Sequence, residues 1–151
     1  MNKLKKAYVC GGCFWSIEEN FRTKPGIIST EVGYAGGKNQ NVSYEEVCKG
    51  NTGHAETVKI EFDEKIITYE NLLNKFFEMH DPTTLNRQGP DIGTQYRSEI
   101  FFINDKQKKI AEETKLIFDK KYDGKIKTNI SKEINYCKAE DYHQKYIQKR
   151  N

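Results

Sequence analysis

The sequence predicts an α+β protein in which helices pack against one mixed β-sheet, giving two layers. Three observations support this class. Apolar runs that alternate with period two are followed by stretches with a period of 3.6 residues, and these stretches are long enough to be helices between strands. No internal repeat or low-complexity linker divides the 151 residues. A chain of this length suits one domain with a core that buries about 70% of the unfolded surface.

The first half of the chain starts with a strand that leads directly into a helix. Two glycines, Gly11 and Gly12, end the strand and supply a tight turn that residues with a Cβ would make costly. The predicted elements are a strand from Leu4 to Val9, a helix with Phe14, Ile17 and Phe21 on one face, a strand at Ile27–Tyr34, a short turn or helix at Ser43–Lys49 and a strand at Ala55–Phe62.

The second half contains one long segment without periodicity, Asp81–Arg97, and structureless segments of this length are often functional. Asn104 with Gln107 resembles a capping box at a helix start. The predicted elements are a helix after Thr68 with apolar positions from Leu72 to Phe77, a strand at Ser98–Asn104, a helix with a stripe from Ile110 to Tyr122, short strands at Ile126–Ile130 and Ile134–Cys137, and a closing helix or coil at Ala139–Lys149.

Composition excludes several classes of function. The net charge is only +3 and the lysines are spread along the chain, which argues against a nucleic-acid partner. No apolar run approaches the roughly 20 residues of a membrane span, and no apolar segment follows the basic start, as a secretory signal would require. We therefore expect a cytoplasmic protein that does not associate with membranes. Its four cysteines should be reduced at rest.

Cys13 is the first candidate for chemistry, because the glycine turn places it at the first turn of a helix. Unpaired backbone N–H groups and the helix dipole stabilise an anion there. Cysteines so placed have pKa values lowered from about 8.5 to roughly 3.5–7.5, which predicts a nucleophilic thiolate. Two alternatives stay open: a buried cysteine can be only a small hydrophobic residue, and Cys10 with Cys13 forms a C-x-x-C pair, typical of a dithiol or half of a zinc site.

Glu56 is the second candidate, because it is the one charge on the apolar side of its strand. Val58, Ile60 and Phe62 share that side. A carboxylate on a core-facing side is costly unless it is paired or neutral, and desolvation raises its pKa. This position predicts a general acid, and the alternative is a strand-end glutamate that tilts into solvent.

Conspicuous blocks of residues follow one another along nearly the whole chain. They are Gly12-Cys13-Phe14-Trp15, Gly33-Tyr34-Ala35-Gly36-Gly37, Tyr44, Gly50 to Glu56, His80-Asp81-Pro82-Thr83, Asn86 to Ser98, and Ala139 to Gln144. In this order the blocks resemble those of the A-type peptide methionine-S-sulfoxide reductases. One departure is Ser16, where the family often has glycine.

The resemblance implies a ferredoxin-like α/β sandwich, a single catalytic domain over residues 1–151, and no bound metal or organic cofactor. It implies that Cys13 attacks the sulfoxide sulfur as a thiolate, and that Glu56 gives a proton to the sulfoxide oxygen. Methionine then leaves, and Cys13 remains as a sulfenic acid until a thiol reduces it, in keeping with the oxidation ladder of cysteine.

The resemblance also assigns supporting roles around the reacting atoms. Tyr44 and Tyr96 would hydrogen-bond the sulfoxide oxygen, and Asp91 would help hold the polar network or a water. Phe14 and Trp15 would receive the S-methyl group. The implied substrates are oxidised methionine in proteins or free methionine sulfoxide, the function is repair under oxidative stress, and we expect a monomer.

Recycling of the sulfenic acid needs a thiol. Many relatives carry recycling cysteines in a tail beyond the Tyr142-His143-Gln144 block, whereas this sequence stops soon after it. We therefore expect Cys10, Cys48, Cys137 or an external thiol such as thioredoxin or glutaredoxin with glutathione. Of these, we favour the external thiol over a Cys10–Cys13 bridge.

Three rival functions follow from the same residues. A thioredoxin-like dithiol oxidoreductase would use Cys10 and Cys13, but the nucleophile of that motif is normally the first cysteine, and here the second one lies at the helix start. A zinc module would need a second ligand pair with closed spacing, which Cys48, His54, Cys137 and His143 do not supply. A non-catalytic binding module would have an inert Cys13.

Overall fold

The fold is an α+β arrangement around one mixed sheet, seen in a computed structural model that describes residues 4–150. The strands are β1 (Leu4–Gly11), β2 (Ile27–Ala35), β3 (Ala55–Asp63), β4 (Arg87–Gln88), β5 (Asp91–Ile92), β6 (Ser98–Phe102), β7 (Asn129–Lys132) and β8 (Cys137–Lys138). The helices are α1 (Phe14–Arg22), α2 (Tyr44–Cys48), α3 (Tyr69–Glu78), α4 (Asp105–Lys121) and α5 (Tyr146–Arg150), with 3₁₀ turns at Thr94–Tyr96 and Asp141–His143.

Within residues 4–150 the larger sheet has the strand order β7-β6-β1-β3-β2-β8. Neighbouring strands are antiparallel except β6 and β7, which run parallel, so the sheet is mixed. The two short strands β4 and β5 form a separate hairpin. The predicted α+β class with a mixed sheet is confirmed.

The main core lies on the side of the sheet that α1, α3 and α4 cover. Alternation along β1 sends Ala7 and Val9 into that core, while Tyr8 and Cys10 face a smaller apolar cluster on the opposite side. Because side chains alternate with period two, the same rule fixes which side each residue of β3 faces. Val58 and Ile60 belong to the main core, so Glu56 at the start of β3 also faces the helices.

Side-chain caps define the helix starts that the sequence predicts. Ser43 forms a complete capping box with Glu46 at the start of α2. Thr68 caps α3, where it accepts the N–H of Asn71 at 3.1 Å. None of the helices within residues 4–150 combines the length and the apolar character needed to cross a bilayer.

The predicted capping box at Asn104 is only half present. The Asn104 side chain accepts the N–H of Gln107 at 2.8 Å, as expected. The Gln107 amide, however, binds the backbone of Ile103 and Lys6, at 3.1 and 2.7 Å, rather than that of Asn104. The glutamine thereby ties the start of α4 to β1, a tertiary contact that the local pattern does not reveal.

The structure also corrects two strand predictions and the long loop. The strand predicted at Ile126–Ile130 lies at Asn129–Lys132, because its partner is β6 and the pairing starts at Asn129. The strand predicted at Ile134–Cys137 is Cys137–Lys138. The segment Asp81–Arg97 contains the β4–β5 hairpin and a 3₁₀ turn, elements too short to show any periodicity.

Candidate active site

The turn between β1 and α1 positions Cys13. Gly12 adopts a φ of +96°, a left-handed conformation that favours glycine. Cys13 follows as the N-cap of α1, so its thiol lies beside the backbone N–H groups of Trp15 and Ser16 in the first helical turn. The predicted position of this cysteine at a helix start is confirmed.

Glu56 is buried beside that helix start and does not tilt into solvent. Glu56 is 2% exposed, and its Oε1 accepts a hydrogen bond from the backbone N–H of Phe14 at 3.2 Å. Burial raises the pKa of Glu56 to about 8; the Phe14 N–H opposes this rise and the charge of Asp91 adds to it. At neutral pH the carboxyl is therefore largely protonated.

Both residues open into one small cleft of about 320 Å³. The cleft brings together residues from α1, α2, β3 and the segment that follows α3. The lining residues are Cys13, Phe14, Trp15, Ser16, Tyr44, Glu56, Asp91 and Tyr96. Apart from the possible recycling cysteines, every catalytic and substrate-binding candidate named from the sequence lines this one cleft. Ser16 lines it as well.

The pKa of Cys13 runs against the sequence-based expectation. Burial raises the pKa of this thiol to about 11, and the nearby charge of Glu56 contributes to the rise. The backbone N–H groups of Trp15 and Ser16 lower it, as a helix start should. Desolvation exceeds that effect because the thiol sits largely out of water. In the free site the thiol is therefore favoured over the thiolate, opposite in direction to the lowered pKa that a helix start predicts.

Trp15 is held in one orientation by the C-terminal segment. Its indole N–H donates to Nδ1 of His143 at 3.0 Å, and its ring stacks on Tyr146 with centroids 3.8 Å apart and planes 10° from parallel. Phe14 is buried, and its ring lies 5.2 Å from that of His143. The two aromatics form a rigid apolar wall beside the thiol.

Tyr44 and Tyr96 also line the cleft and bring two hydroxyl groups to it. Burial raises the pKa of Tyr96 to about 12 and raises that of Tyr44 further. Both phenols are therefore neutral at physiological pH and can donate hydrogen bonds. The backbone N–H of Tyr44 itself donates to Oε2 of Glu140 at 3.0 Å.

Sequence reasoning missed the residues that hold this cleft together. Glu140 joins the N–H of Tyr44 to the hydroxyl of Tyr34, which donates to its Oε1 at 2.9 Å. Arg97 ties two loops to each other through the carbonyls of Thr94 and Gly53, at 2.9 and 3.0 Å. No periodicity or spacing distinguishes these polar residues from ordinary surface ones; only the resemblance blocks contain them.

The remaining cysteines occupy three different environments. Cys10 is 1% exposed on the sheet side away from the helices, with its sulfur 3.2 Å from Oγ1 of Thr57. Burial raises the pKa of Cys10 to about 12, which disfavours its nucleophilic thiolate. Cys137 is half-buried beside Tyr34, and Cys48 is exposed. Residues 4–150 contain no cluster of three or more metal-ligating side chains.

A thiol and a carboxyl with a raised pKa in one small aromatic cleft, on an α+β fold, fit a cysteine-based oxidoreductase. The family model for peptide methionine sulfoxide reductase matches residues 5–151, and the chain belongs to this family. The protein is therefore a peptide-methionine (S)-S-oxide reductase, which reduces methionine-S-sulfoxide to methionine in a thiol-dependent reaction and so repairs oxidised proteins.

Individual relatives agree with the family match. The chain is 58% identical over 139 residues to the peptide methionine sulfoxide reductase MsrA of Pelagibacter ubique, which covers 92% of this chain and 95% of the relative. The structure of reduced Mxr1 from Saccharomyces cerevisiae superimposes with a TM-score of 0.94 at 40% identity, covering 97% and 86% of the two chains. Mxr1 in complex with Trx2 matches with a TM-score of 0.69 at 28% identity, covering 95% and 85%.

Proposed function

We propose that Cys13 is the nucleophile of the reduction and that Glu56 is its general acid. The observation that carries the proposal is a carboxyl with a pKa of about 8 in the same cleft as the thiol. A sulfoxide oxygen needs a proton before it can leave, and a carboxylic acid kept neutral in an apolar site can supply one at pH 7.

The resting thiol enters the reaction when the substrate is protonated. Glu56 donates its proton to the sulfoxide oxygen, positive charge develops on the substrate sulfur, and the Cys13 sulfur attacks that sulfur and forms an S–S bond as its own proton passes to the Glu56 carboxylate. The hydroxyl group then moves from the substrate sulfur to the Cys13 sulfur: the S–O bond of the substrate and the S–S bond break, the S–O bond of the sulfenic acid forms, and methionine leaves with the electron pair of the S–S bond. The Cys13 sulfur is oxidised by two electrons to sulfenic acid, the methionine sulfur is reduced by two, and Glu56 ends protonated.

The other residues of the cleft orient the sulfoxide in this scheme. The neutral hydroxyls of Tyr44 and Tyr96 hydrogen-bond the oxygen, and Asp91 holds the polar network or a water at the rim. Phe14 and Trp15 accept the S-methyl group against their apolar wall. With methyl and oxygen assigned to opposite sides, only one configuration at sulfur presents its face to Cys13.

The protein is expected to consume only the S epimer of methionine sulfoxide. An R epimer would direct its methyl group toward the tyrosine hydroxyls and leave the oxygen against Phe14 and Trp15, where it has no donor. The test is an exhaustive reaction of a racemic mixture with dithiothreitol, followed by chiral analysis of what is left. Equal consumption of both epimers would refute this assignment of the cleft.

An external thiol is proposed to reduce the sulfenic acid. The environment of Cys10 supports this, because its thiol lies on the other side of the sheet in contact with Thr57. A thioredoxin-type protein is the favoured reductant, since the yeast relative Mxr1 has been solved in complex with Trx2. Glutaredoxin with glutathione is the second candidate for the same step.

Adding one equivalent of sulfoxide to the reduced protein should leave a sulfenic acid on Cys13. Trapping with dimedone and measurement of the intact mass is expected to give one adduct, which peptide mapping places on Cys13. A loss of two mass units instead, with a peptide that links Cys13 to Cys10, Cys48 or Cys137, would overturn the single-cysteine cycle.

A finer description of the fold is also part of the proposal. We infer that the core is ferredoxin-like with two layers. Apart from α2 and the β4–β5 hairpin with its 3₁₀ turn, the elements from β1 to β6 have the order βαββαβ, and the strands pair in the order β6-β1-β3-β2. That the chain works as a monomeric single catalytic domain in the cytoplasm, apart from membranes and nucleic acid, stays a prediction from the sequence.

A further inference from the structure

The β4–β5 hairpin carries Asp91 to the cleft, yet it stands apart from the main sheet. Gln88 lies directly opposite Asp91 in the hairpin pairing. What fixes Gln88 therefore also fixes the backbone of Asp91, since the two residues are cross-strand partners.

The aliphatic part of Gln88 rests against the turn that precedes the nucleophile. A Cβ placed on Gly12 would lie 2.6 Å from both Cβ and Cγ of Gln88, so the glutamine occupies the space that a larger residue at this position would need. The contact joins the hairpin to Gly12, one residue before Cys13. A residue with a Cβ at position 12 is therefore disfavoured by this contact as well as by the positive φ.

The side-chain amide of Gln88 forms two hydrogen bonds with the backbone of Asp81, at the start of the segment that follows α3. Its Oε1 accepts the N–H of Asp81 and its Nε2 donates to the Asp81 carbonyl, both at 2.8 Å. Asp81 is itself held by a turn in which its Oδ1 accepts the N–H of Thr83 at 2.9 Å. A single side chain thus connects the segment just after α3, the hairpin and the turn before Cys13.

We propose that Gln88 is a positioning residue that holds Asp91 at the cleft by clamping the β4–β5 hairpin onto the turn before Cys13. The inference rests on the proposed roles of Cys13 and Glu56 for its kinetic readout. It has a chemical readout that does not require turnover.

The quantities that report on this role are the pKa values of Glu56 and Cys13 in the cleft. Asp91 raises the pKa of both Glu56 and Cys13 through its charge, so withdrawing Asp91 should lower both values. The ionisable groups around Glu56 are Cys13 from α1, Cys10 from β1, Tyr34 from β2, Tyr44 from α2, and Asp91 and Tyr96 from the segment after α3. Among these groups, Gln88 contacts Asp91 as its cross-strand partner and reaches Cys13 only through the neighbouring Gly12.

The principal variant is Gln88→Ala, which removes the stem contact and both amide bonds. The alkaline limb of the single-turnover rate should move to lower pH by roughly half a unit or more, because less negative charge faces Glu56. The value of kcat/KM should fall roughly 10–100-fold from misplacement. Gln88→Met keeps the stem and loses the amide bonds, and is expected to give a smaller displacement in the same direction.

Gln107→Ala is the matched control, because the Gln107 amide also bridges two backbone groups, at Ile103 and Lys6, but between α4 and β1. It should lower Tm and leave the alkaline limb at the wild-type pH. If both alanine variants move the limb equally, or if Gln88→Ala leaves it in place, the positioning role is overturned.

Asp91→Asn provides the double-mutant test, since it removes the charge that Gln88 is proposed to position. It should move the limb by itself, and adding Gln88→Ala should produce no further displacement. A full second displacement would show that Gln88 acts through another group and would contradict the proposal.

Alkylation separates this inference from the catalytic roles. The rate of iodoacetamide labelling of Cys13, followed by peptide mass at a fixed alkaline pH, should rise in Gln88→Ala because the thiol ionises more readily. An unchanged or slower rate would count against the clamp. A wild-type protein without sulfoxide turnover would refute the catalytic roles, while the labelling rates would still decide the role of Gln88.

Discussion

Cys13→Ser is expected to abolish methionine formation while the protein stays folded. A serine hydroxyl is a far weaker nucleophile than a thiol, and it cannot form the oxidised sulfur species that takes up the oxygen. The fold should tolerate the change well, because Cys13 is the N-cap of α1 and serine is among the preferred residues there. The measurement is methionine released per protein in one turnover, with circular dichroism of the same sample.

Cys48→Ser is the matched control, because it makes the same replacement at a cysteine that is exposed. It should form one methionine per protein in a single turnover, as the wild type does. Methionine formation by Cys13→Ser at a rate near that of the wild type would place the nucleophile elsewhere and end the proposed mechanism.

Glu56→Gln is expected to slow the single-turnover rate by roughly 10²–10⁴-fold, the usual range for a lost general acid. Glutamine keeps the shape of the side chain and can accept the N–H of Phe14, but its amide cannot supply a comparable proton. An acid works only while protonated, and the pKa of Glu56 is raised to about 8. The wild-type rate should therefore be flat below that pH and fall above it, and the variant should lose this limb.

Glu61→Gln controls for the substitution itself, because Glu61 is on the same strand and faces the opposite side of the sheet, where it accepts the hydroxyl of Ser29. It should keep both the rate and the pH profile. A Glu56→Gln variant that forms methionine at a near-normal rate would show that Glu56 is structural.

The melting temperature of Glu56→Gln distinguishes a loss of catalysis from a loss of the fold. Because the folded-state pKa of Glu56 lies above its unfolded value, the neutral group is favourable below the unfolded pKa, and this contribution is lost as pH rises through about 8. Above that pH the wild type carries a buried charge and the variant does not. Glu56→Gln should therefore melt no lower than the wild type in alkaline buffer.

Much of the site could be predicted because its residues obey local rules. Two glycines before an amphipathic segment place Cys13 at a helix start, and period-two alternation alone sends Glu56 to the core side of β3. The mixed sheet follows from the same two periodicities. These features need only the immediate neighbours of each residue, which the sequence displays directly.

Other properties depend on atoms that are remote in sequence. The helix start predicts a low pKa for Cys13, but burial disfavours the charged thiolate, and this effect exceeds that of the backbone N–H groups. Glu140 reaches Tyr44 across 96 positions of sequence. The β4–β5 hairpin has strands of two residues each, so no periodic signal exists for it.

The protonation state of Glu56 in the free enzyme tests the mechanism most directly. Carbon-13 labelling of the glutamate carboxyls, with the Glu56 signal assigned by its absence in Glu56→Gln, gives the pKa by NMR titration without any substrate. The expected result is a midpoint near 8, which means a neutral acid at physiological pH. A midpoint near the ordinary glutamate value of about 4.3 would mean that Glu56 is ionised when substrate arrives, and would contradict its role as proton donor.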